Sequence, residues 1–240
     1  MLDRDCPICK CSKSNVIRNV FKRKYDVPYK IVQCDKCSFY YVTPQMTHEE
    51  IIYRYEEWSN FDFNLAKILE QKRTRNTIIE WLKLYQLLDI THVNHILDYG
   101  CGFGLFLKVA SAFNVEVFGY DINKKQTAWA KEQGLEIIDS LKCILPGSLD
   151  MIHFTQVLEH IYDPLETLQL FHKLLKPDGI LYVTIPNCTD DFIINDVESK
   201  DIEPSSHVNY FTAKSFESTM KLAGFSKLSG DNTTGVIARK

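Results

Sequence analysis

The stretch that decides the fold is Ile96-Leu97-Asp98-Tyr99-Gly100-Cys101-Gly102-Phe103-Gly104. Apolar residues lead into an acid, then three glycines alternate with other residues. Glycines placed this way let the backbone turn sharply and pass close to a ligand at a helix N-terminus. A dinucleotide fingerprint would read G-x-G-x-x-G. Counted from Gly100, its third glycine falls on Leu105, so the pattern is instead D-x-G-x-G-x-G. The next apolar run, Val117-Phe118-Gly119-Tyr120, ends on Asp121, 23 residues after Asp98. A carboxylate at that point can accept hydrogen bonds from both hydroxyls of a ribose.

Outward from this loop, strand and helix patterns alternate. Strands are expected at 94–98, 115–120, 135–138, 149–154 and 179–185, with helices at 103–112, 123–133 and 164–176. That order predicts a parallel sheet with helices on both faces. Thr212 caps a last helix through Leu222, ended by Gly224, and strands at 225–229 and 234–239 follow.

Toward the front, the spacing is Cys6-x2-Cys9, then 24 residues, then Cys34-x2-Cys37. Two such knuckles match a four-thiolate zinc site, and four thiolates fill the ion's coordination shell, so the role is structural. Cys11 is the alternative to Cys9; the tighter Cys6-Pro7-Ile8-Cys9 loop favours Cys9. Disulfides are the competing reading, which a reducing cytosol opposes. Strands are expected at 16–20 and 29–33. The arrangement predicts a small zinc ribbon over 1–44.

Residues 45–92 read as a helical connector or cap. Thr47-His48-Glu49-Glu50 is a capping box that opens a helix. A second helix is expected over roughly 64–88, after a cluster of Tyr53, Tyr55, Trp58, Phe61 and Phe63. These aromatics suit either packing or a lid over a bound ligand. The main α/β domain then covers 93–240.

Composition bounds the partners. The 240 residues carry a net charge of −3, and no apolar run approaches the ~20 residues that span a bilayer. The N-terminus lacks the apolar core of a signal peptide, so a cytoplasmic location is expected. Residues 1–37 hold nine Lys/Arg against four Asp/Glu. Four thiolates around Zn²⁺ offset part of that excess by about −2. RNA contact through this basic ribbon is the competing reading; a solvated strand face is the simpler one.

The combination of Asp98-Tyr-Gly-Cys-Gly-Phe-Gly104, Asp121, Leu149-Asp150-Met151-Ile152 … Val157-Leu158-Glu159-His160 and Leu174-Leu175-Lys176-Pro177-Asp178-Gly179 resembles the class I S-adenosylmethionine-dependent methyltransferases over about 94–240. The resemblance implies a Rossmann-like seven-stranded sheet whose last strand is antiparallel. It implies that Gly100, Gly102 and Gly104 approach the methionine part of the cofactor, with Asp98 near its amino group. Asp121 would bind the ribose, Asp139 would sit near the adenine N6, and Gln156 near the transferred methyl. The four-cysteine ribbon followed by Tyr41-Val-Thr-Pro44 resembles the zinc-ribbon methyltransferases of nucleotide-sugar and surface-polysaccharide pathways. That implies a small-molecule acceptor, a sugar or nucleotide-sugar. The larger sugar C-methyltransferases carry a further C-terminal domain, so O-methylation is expected here.

A hydroxyl is a poor nucleophile, so a general base is expected, and histidine suits neutral pH. His207, within Ser206-His207-Val208-Asn209-Tyr210-Phe211-Thr212, resembles the family's His-x-x-x-Phe-Thr stretch. His160, after the fourth strand, is the alternative. His153, inside that strand, reads as packing. Asn187 is a candidate to hold substrate. Exocyclic-amine methylation needs Asn/Asp-Pro-Pro-aromatic after the fourth strand, where this chain has Thr155-Gln156-Val157-Leu158. Cytosine C5 chemistry needs a Pro-Cys pair, which is absent. Cys101, Cys143 and Cys188 read as small buried residues. A non-catalytic cofactor-binding protein is a further alternative.

Overall fold

The computed structural model describes residues 3–22, 27–58, 73–84, 93–186, 188–195, 204–231 and 235–240. Two compact units emerge. One takes Met1–Ile51, Thr155–His172 and Tyr182–Lys240; the other takes Ile52–Phe154 and Lys173–Leu181. Asn187 and residues 59–72 and 85–92 lie outside the described residues.

The main sheet contains β4 (His95–Tyr99), β5 (Glu116–Tyr120), β6 (Leu149–Thr155), β7 (Leu175–Thr184), β9 (Lys227–Asp231) and β10 (Gly235–Arg239), in the order β5-β4-β6-β7-β10-β9. β4 is parallel to both β5 and β6, and Asp98 stands opposite His153 in that register. β9 and β10 form an antiparallel hairpin, as the expected closing strands do. Six strands are described, not the seven expected. The missing one, at 135–138, is reduced to a single parallel bridge between Gly119 and Ile137. Two residues beyond Ile137's neighbour Ile138, Ser140 caps a 3-10 turn, its side chain accepting from the Lys142 N–H at 3.2 Å. The pairing there is confined to Gly119, whose N–H donates to the Glu136 carbonyl and whose carbonyl accepts from the Ile138 N–H, both at 2.9 Å.

The helices of this part of the chain are α3 (Leu105–Ala110), α4 (Lys124–Glu132), α5 (Pro164–Leu174), the short α6 (Asp190–Asn195) and α7 (Ala213–Leu222). Asn123 caps α4, and Thr212 caps α7 reciprocally with Ser215. Helix α2 covers 73–84. Its Trp81 and Leu84 are buried, and Trp81 meets Phe106 edge-on at 5.6 Å.

A tie at the start of β4 holds the sheet's register. Asp150 Oδ2 accepts from the Asn94 and His95 N–H groups at 3.1 and 2.9 Å, and Oδ1 from Lys176 Nζ at 2.7 Å. Burial works against ionisation here, but Lys176 and the two N–H donors outweigh it and hold the carboxyl below its usual range. Its stabilisation is therefore complete above about pH 4 and is lost as pH falls further. Asp150→Asn is expected to cost about 1–3 kcal/mol at pH 7, read by denaturant unfolding.

A second sheet, four-stranded and antiparallel, contains β1 (Ser14–Lys22), β2 (Val27–Cys34), β3 (Tyr40–Thr43) and β8 (Asn209–Tyr210), in that order, all within the first unit. β8 comes from the far end of the sequence. The core here joins Tyr29, Ile31 and Val42 to Cys188, Ile193 and Tyr210. The ribbon is therefore packed by residues well beyond position 44, which offsets its small size. The capping box forms as expected: Glu50 N–H donates to Thr47 Oγ1 at 3.2 Å and Thr47 N–H to Glu50 Oε2 at 2.7 Å. These begin α1 (His48–Trp58). Cys101 and Cys188 are buried, but Cys143 is exposed at the 3-10 turn, its thiol donating to the Ser140 carbonyl.

Candidate active site and thiolate cluster

The glycine loop is built by left-handed backbone. Gly100, Gly102 and Gly104 have φ of 82°, 54° and 83°. A Cβ at 102 would meet Gln126 and one at 104 would meet Leu135, so both positions need glycine for conformation and space. The Gly100 N–H donates to the Tyr120 carbonyl at 2.8 Å, tying the loop to the end of β5. Asp121 closes the same loop. Its Oδ2 accepts from the Gly102 N–H and its Oδ1 from the Asn123 N–H, both at 2.8 Å. Burial raises its pKa, opposed by those two donors. Asp98 is 3% exposed and faces His153 at 2.7 Å. Asp98, the three glycines and Asp121 thus come together in one unit.

Asp139 is separate in character. It lies on the surface, its carboxylate held by Lys131 Nζ at 3.0 Å and kept below its usual pKa by that lysine. Gln156 follows β6 with φ 53°, an uncommon backbone for a non-glycine residue, and its Nε2 donates to Thr184 Oγ1 at 3.3 Å.

The two candidate bases meet. His160 and His207 rings lie 4.7 Å apart, edge to face. His160 Nδ1 is 2.8 Å from the Ser206 carbonyl, so Nδ1 carries the proton and Nε2 keeps its lone pair. Burial, followed by the charge of His207, lowers His160 to about 4, so the ring is neutral at pH 7. Glu159, buried, approaches His160 Nε2 at 3.6 Å, and the three side chains offer ligating atoms within 4.8 Å of one another.

Arg4 organises this region. Its Nη1 donates to the Tyr162 carbonyl at 3.0 Å; its Nη2 donates to the Val208 carbonyl at 2.9 Å and to Asn209 Oδ1 at 2.8 Å. The guanidinium lies over the Tyr41 and Tyr162 rings. Burial lowers its pKa to about 10, which still leaves it charged. It therefore ties the segment after His160 to the segment after His207. An arginine two residues before a cysteine knuckle reads locally as a solvated charge, so no sequence signal marks it.

Four sulfurs converge in the ribbon. Cys6 and Cys37 Sγ are 3.5 Å apart, as are Cys9 and Cys34, and all four lie within 4.8 Å of one another. Sulfurs around a tetrahedral zinc at about 2.3 Å stand about 3.8 Å apart, so the set fits that ion. Cys11 is outside the cluster, its thiol donating to the Lys13 carbonyl. Matching turns shape the two knuckles: Lys10 N–H donates to the Cys6 carbonyl and Ser38 N–H to the Cys34 carbonyl, each at 2.9 Å. Burial pushes the Cys6 thiol up to about 12 and raises Cys37 as well. A divalent cation among them would reverse that.

A family model described as a methyltransferase domain matches residues 62–229. The chain belongs to the methyltransferase-domain family. The ubiquinone biosynthesis O-methyltransferase of Caulobacter vibrioides is 35% identical over 104 residues, 39% of this chain and 41% of that protein. Its counterpart in Xanthomonas campestris is 30% identical, over 39% and 44% of the two chains. The chain thus spans less than half the length of these curated relatives. Among solved structures, an S-adenosylmethionine-dependent methyltransferase from Archaeoglobus fulgidus superposes with a TM-score of 0.54 at 18% identity, over 75% of this chain and all of that one. The plantazolicin methyltransferase, solved with SAH, gives 0.52 at 18% identity over 72% and 73%. These matches show the α/β fold of the methyltransferases. Among the described residues, no helix is long and apolar enough to cross a membrane.

Proposed function

We propose that this methyltransferase O-methylates a small hydroxylated acceptor, most simply a sugar hydroxyl of a nucleotide-sugar or surface-polysaccharide precursor. The carrying observation is the His160–His207 pair, which offers a neutral imidazole lone pair at pH 7. S-adenosylmethionine supplies a methyl group already activated on a positively charged sulfur. The chain's own task is to hold the cofactor, orient the hydroxyl in line with that methyl, and take up the hydroxyl proton. The glycine loop and Asp121 suit the first task. His207, or His160, would take the proton on a ring nitrogen. Gln156, held at a strained backbone angle, would line the methyl side, and Asp98 would face the cofactor's amino group. Asp139, exposed and ion-paired, would reach the adenine only by leaving Lys131.

The names of the matched relatives support O-methylation and point to an alternative acceptor, the hydroxyl of a ubiquinone precursor. The ribbon resemblance supports the sugar. Labelled cofactor offered with a panel of nucleotide-sugars and of polyhydroxylated aromatic compounds distinguishes them. Label transfer to the aromatics alone would overturn the sugar reading.

We also assign the four thiolates of Cys6, Cys9, Cys34 and Cys37 to structural zinc, which suits a reducing cytoplasm. The divisions at 44 and 92 serve as functional boundaries: ribbon, cap and cofactor domain.

Asp121→Ala is expected to weaken cofactor binding by at least about 1 kcal/mol, one lost charged hydrogen bond. It also frees the Gly102 N–H, so the loop loosens. Calorimetry with S-adenosylhomocysteine reads the change, and unchanged affinity would remove Asp121 from the ribose.

A further inference from the structure

His153 does more than fill space in its strand. Its neighbours Met151, Ile152 and Phe154 are fully buried and apolar, yet an imidazole stands among them. A buried polar ring of this kind is costly unless its nitrogens are met. Both are faced by carboxylates. Nδ1 is 2.7 Å from Asp98 Oδ1, across the β4–β6 register, and Nε2 is 3.8 Å from Glu80 Oε1 on α2. The ring's face is fixed as well, stacked on Phe106 at 3.7 Å and 7°. Phe106 in turn receives the edge of Trp81, next to Glu80.

We propose that His153 is a positioning residue of the cofactor site, joining Asp98 at the mouth of the glycine loop to Glu80 on α2 through one buried imidazole ring. This rests on the reading of Asp98 as the carboxylate beside the cofactor's amino group. With Oδ1 committed to His153, Asp98 presents Oδ2, in a fixed orientation, to the ligand. Burial alone would discharge the ring, but Asp98 and Glu80 together outweigh it and hold the pKa up to about 9. The ring is thus a cation at neutral pH. A cofactor ammonium arriving at Asp98 adds a second positive charge nearby, and Glu80 becomes the carboxylate that compensates His153. Cofactor occupancy and the seating of α2 are thereby linked, and linkage is reciprocal: what Glu80 does for α2 must also appear in cofactor affinity.

The decisive variant is Glu80→Gln, which leaves the buried ring in place and keeps the side chain's shape. Calorimetry with S-adenosylhomocysteine is expected to show binding weakened about fivefold or more. Hydrogen exchange should show the amides of 78–84 gaining protection with ligand in the wild type, and gaining less in Glu80→Gln and in His153→Phe. Histidine-selective ¹⁵N NMR should show the His153 ring protonated on both nitrogens at pH 7.5 and shifted by ligand. Wild-type affinity in Glu80→Gln, together with ligand-independent exchange in α2, overturns the linkage. Asp98→Asn separates the two levels: unchanged affinity there overturns the cofactor reading of Asp98 itself, whereas weakened affinity with a silent Glu80→Gln overturns only the relay.

Discussion

His207→Ala is expected to lower kcat by about 10²- to 10⁴-fold while leaving cofactor affinity within about threefold, the signature of a lost general base. On the proposed O-methylation the acceptor hydroxyl loses its proton as the new C–O bond forms, and His207 is the base assigned to receive it. His160→Ala tests the alternative. That ring also holds the loop bearing His207, through the bond from Nδ1 to the Ser206 carbonyl, so its loss moves both candidates. The pH profile tells them apart. His160 is lowered to about 4, so a reaction that uses it as base keeps its full rate above about pH 5 and loses it as pH falls through 4. An apparent pKa of kcat near 6 or above in the wild type would exclude His160 as the base. Full turnover in the double variant would exclude both and leave acceptor activation to another group.

On the structural-zinc proposal, removing the ion is expected to have an equally large effect on the ribbon. A four-thiolate site contributes roughly 10–16 kcal/mol of apparent binding energy that is also folding energy. Chelation, or Cys34→Ser, should therefore unfold β1–β3. With β3 gone, β8 loses its strand partner, and the Val42 N–H no longer donates to the Val208 carbonyl at 3.0 Å. Arg4 is released from Tyr162, Val208 and Asn209 at the same time. The segments bearing His160 and His207 then lose their supports. Turnover should fall by more than about 100-fold. Cofactor affinity should stay within about threefold, because the glycine loop and Asp121 belong to the other compact unit. Metal content, hydrogen exchange over 14–43 and calorimetry measure the three arms. Loss of metal with unchanged exchange would sink the structural assignment. Loss of cofactor binding along with the ribbon would show that the two are energetically joined.

Much of this was legible in the chain. The Asp98–Gly104 loop is a local device: positive φ at 100, 102 and 104 can be met only by glycine without strain, so the residues declare the turn. The same holds for the two C-x-x-C knuckles and for the caps at Thr47 and Thr212, where one side chain serves a backbone group three residues away. The expected strand at 135–138 failed for a different reason. Its residues have strand-like alternation, but a strand exists only where a partner ladder continues, and here the chain turns away at Ser140. Cys143 failed likewise, since a short apolar-looking thiol carries no local sign of which way it faces.

The sequence by itself determined the sharp turns, the capped helix starts and the thiolate spacing, because each is fixed within a few residues by backbone sterics and short hydrogen bonds. Only the tertiary structure decided that β8 completes the ribbon sheet, that Arg4 bridges Tyr162 and Val208, and that His153 meets Asp98 and Glu80. Those contacts join residues 55 to more than 200 positions apart or depend on strand register. Burial then turns an ordinary charged or polar side chain into one that must be paired, and no periodicity in the chain encodes that partner.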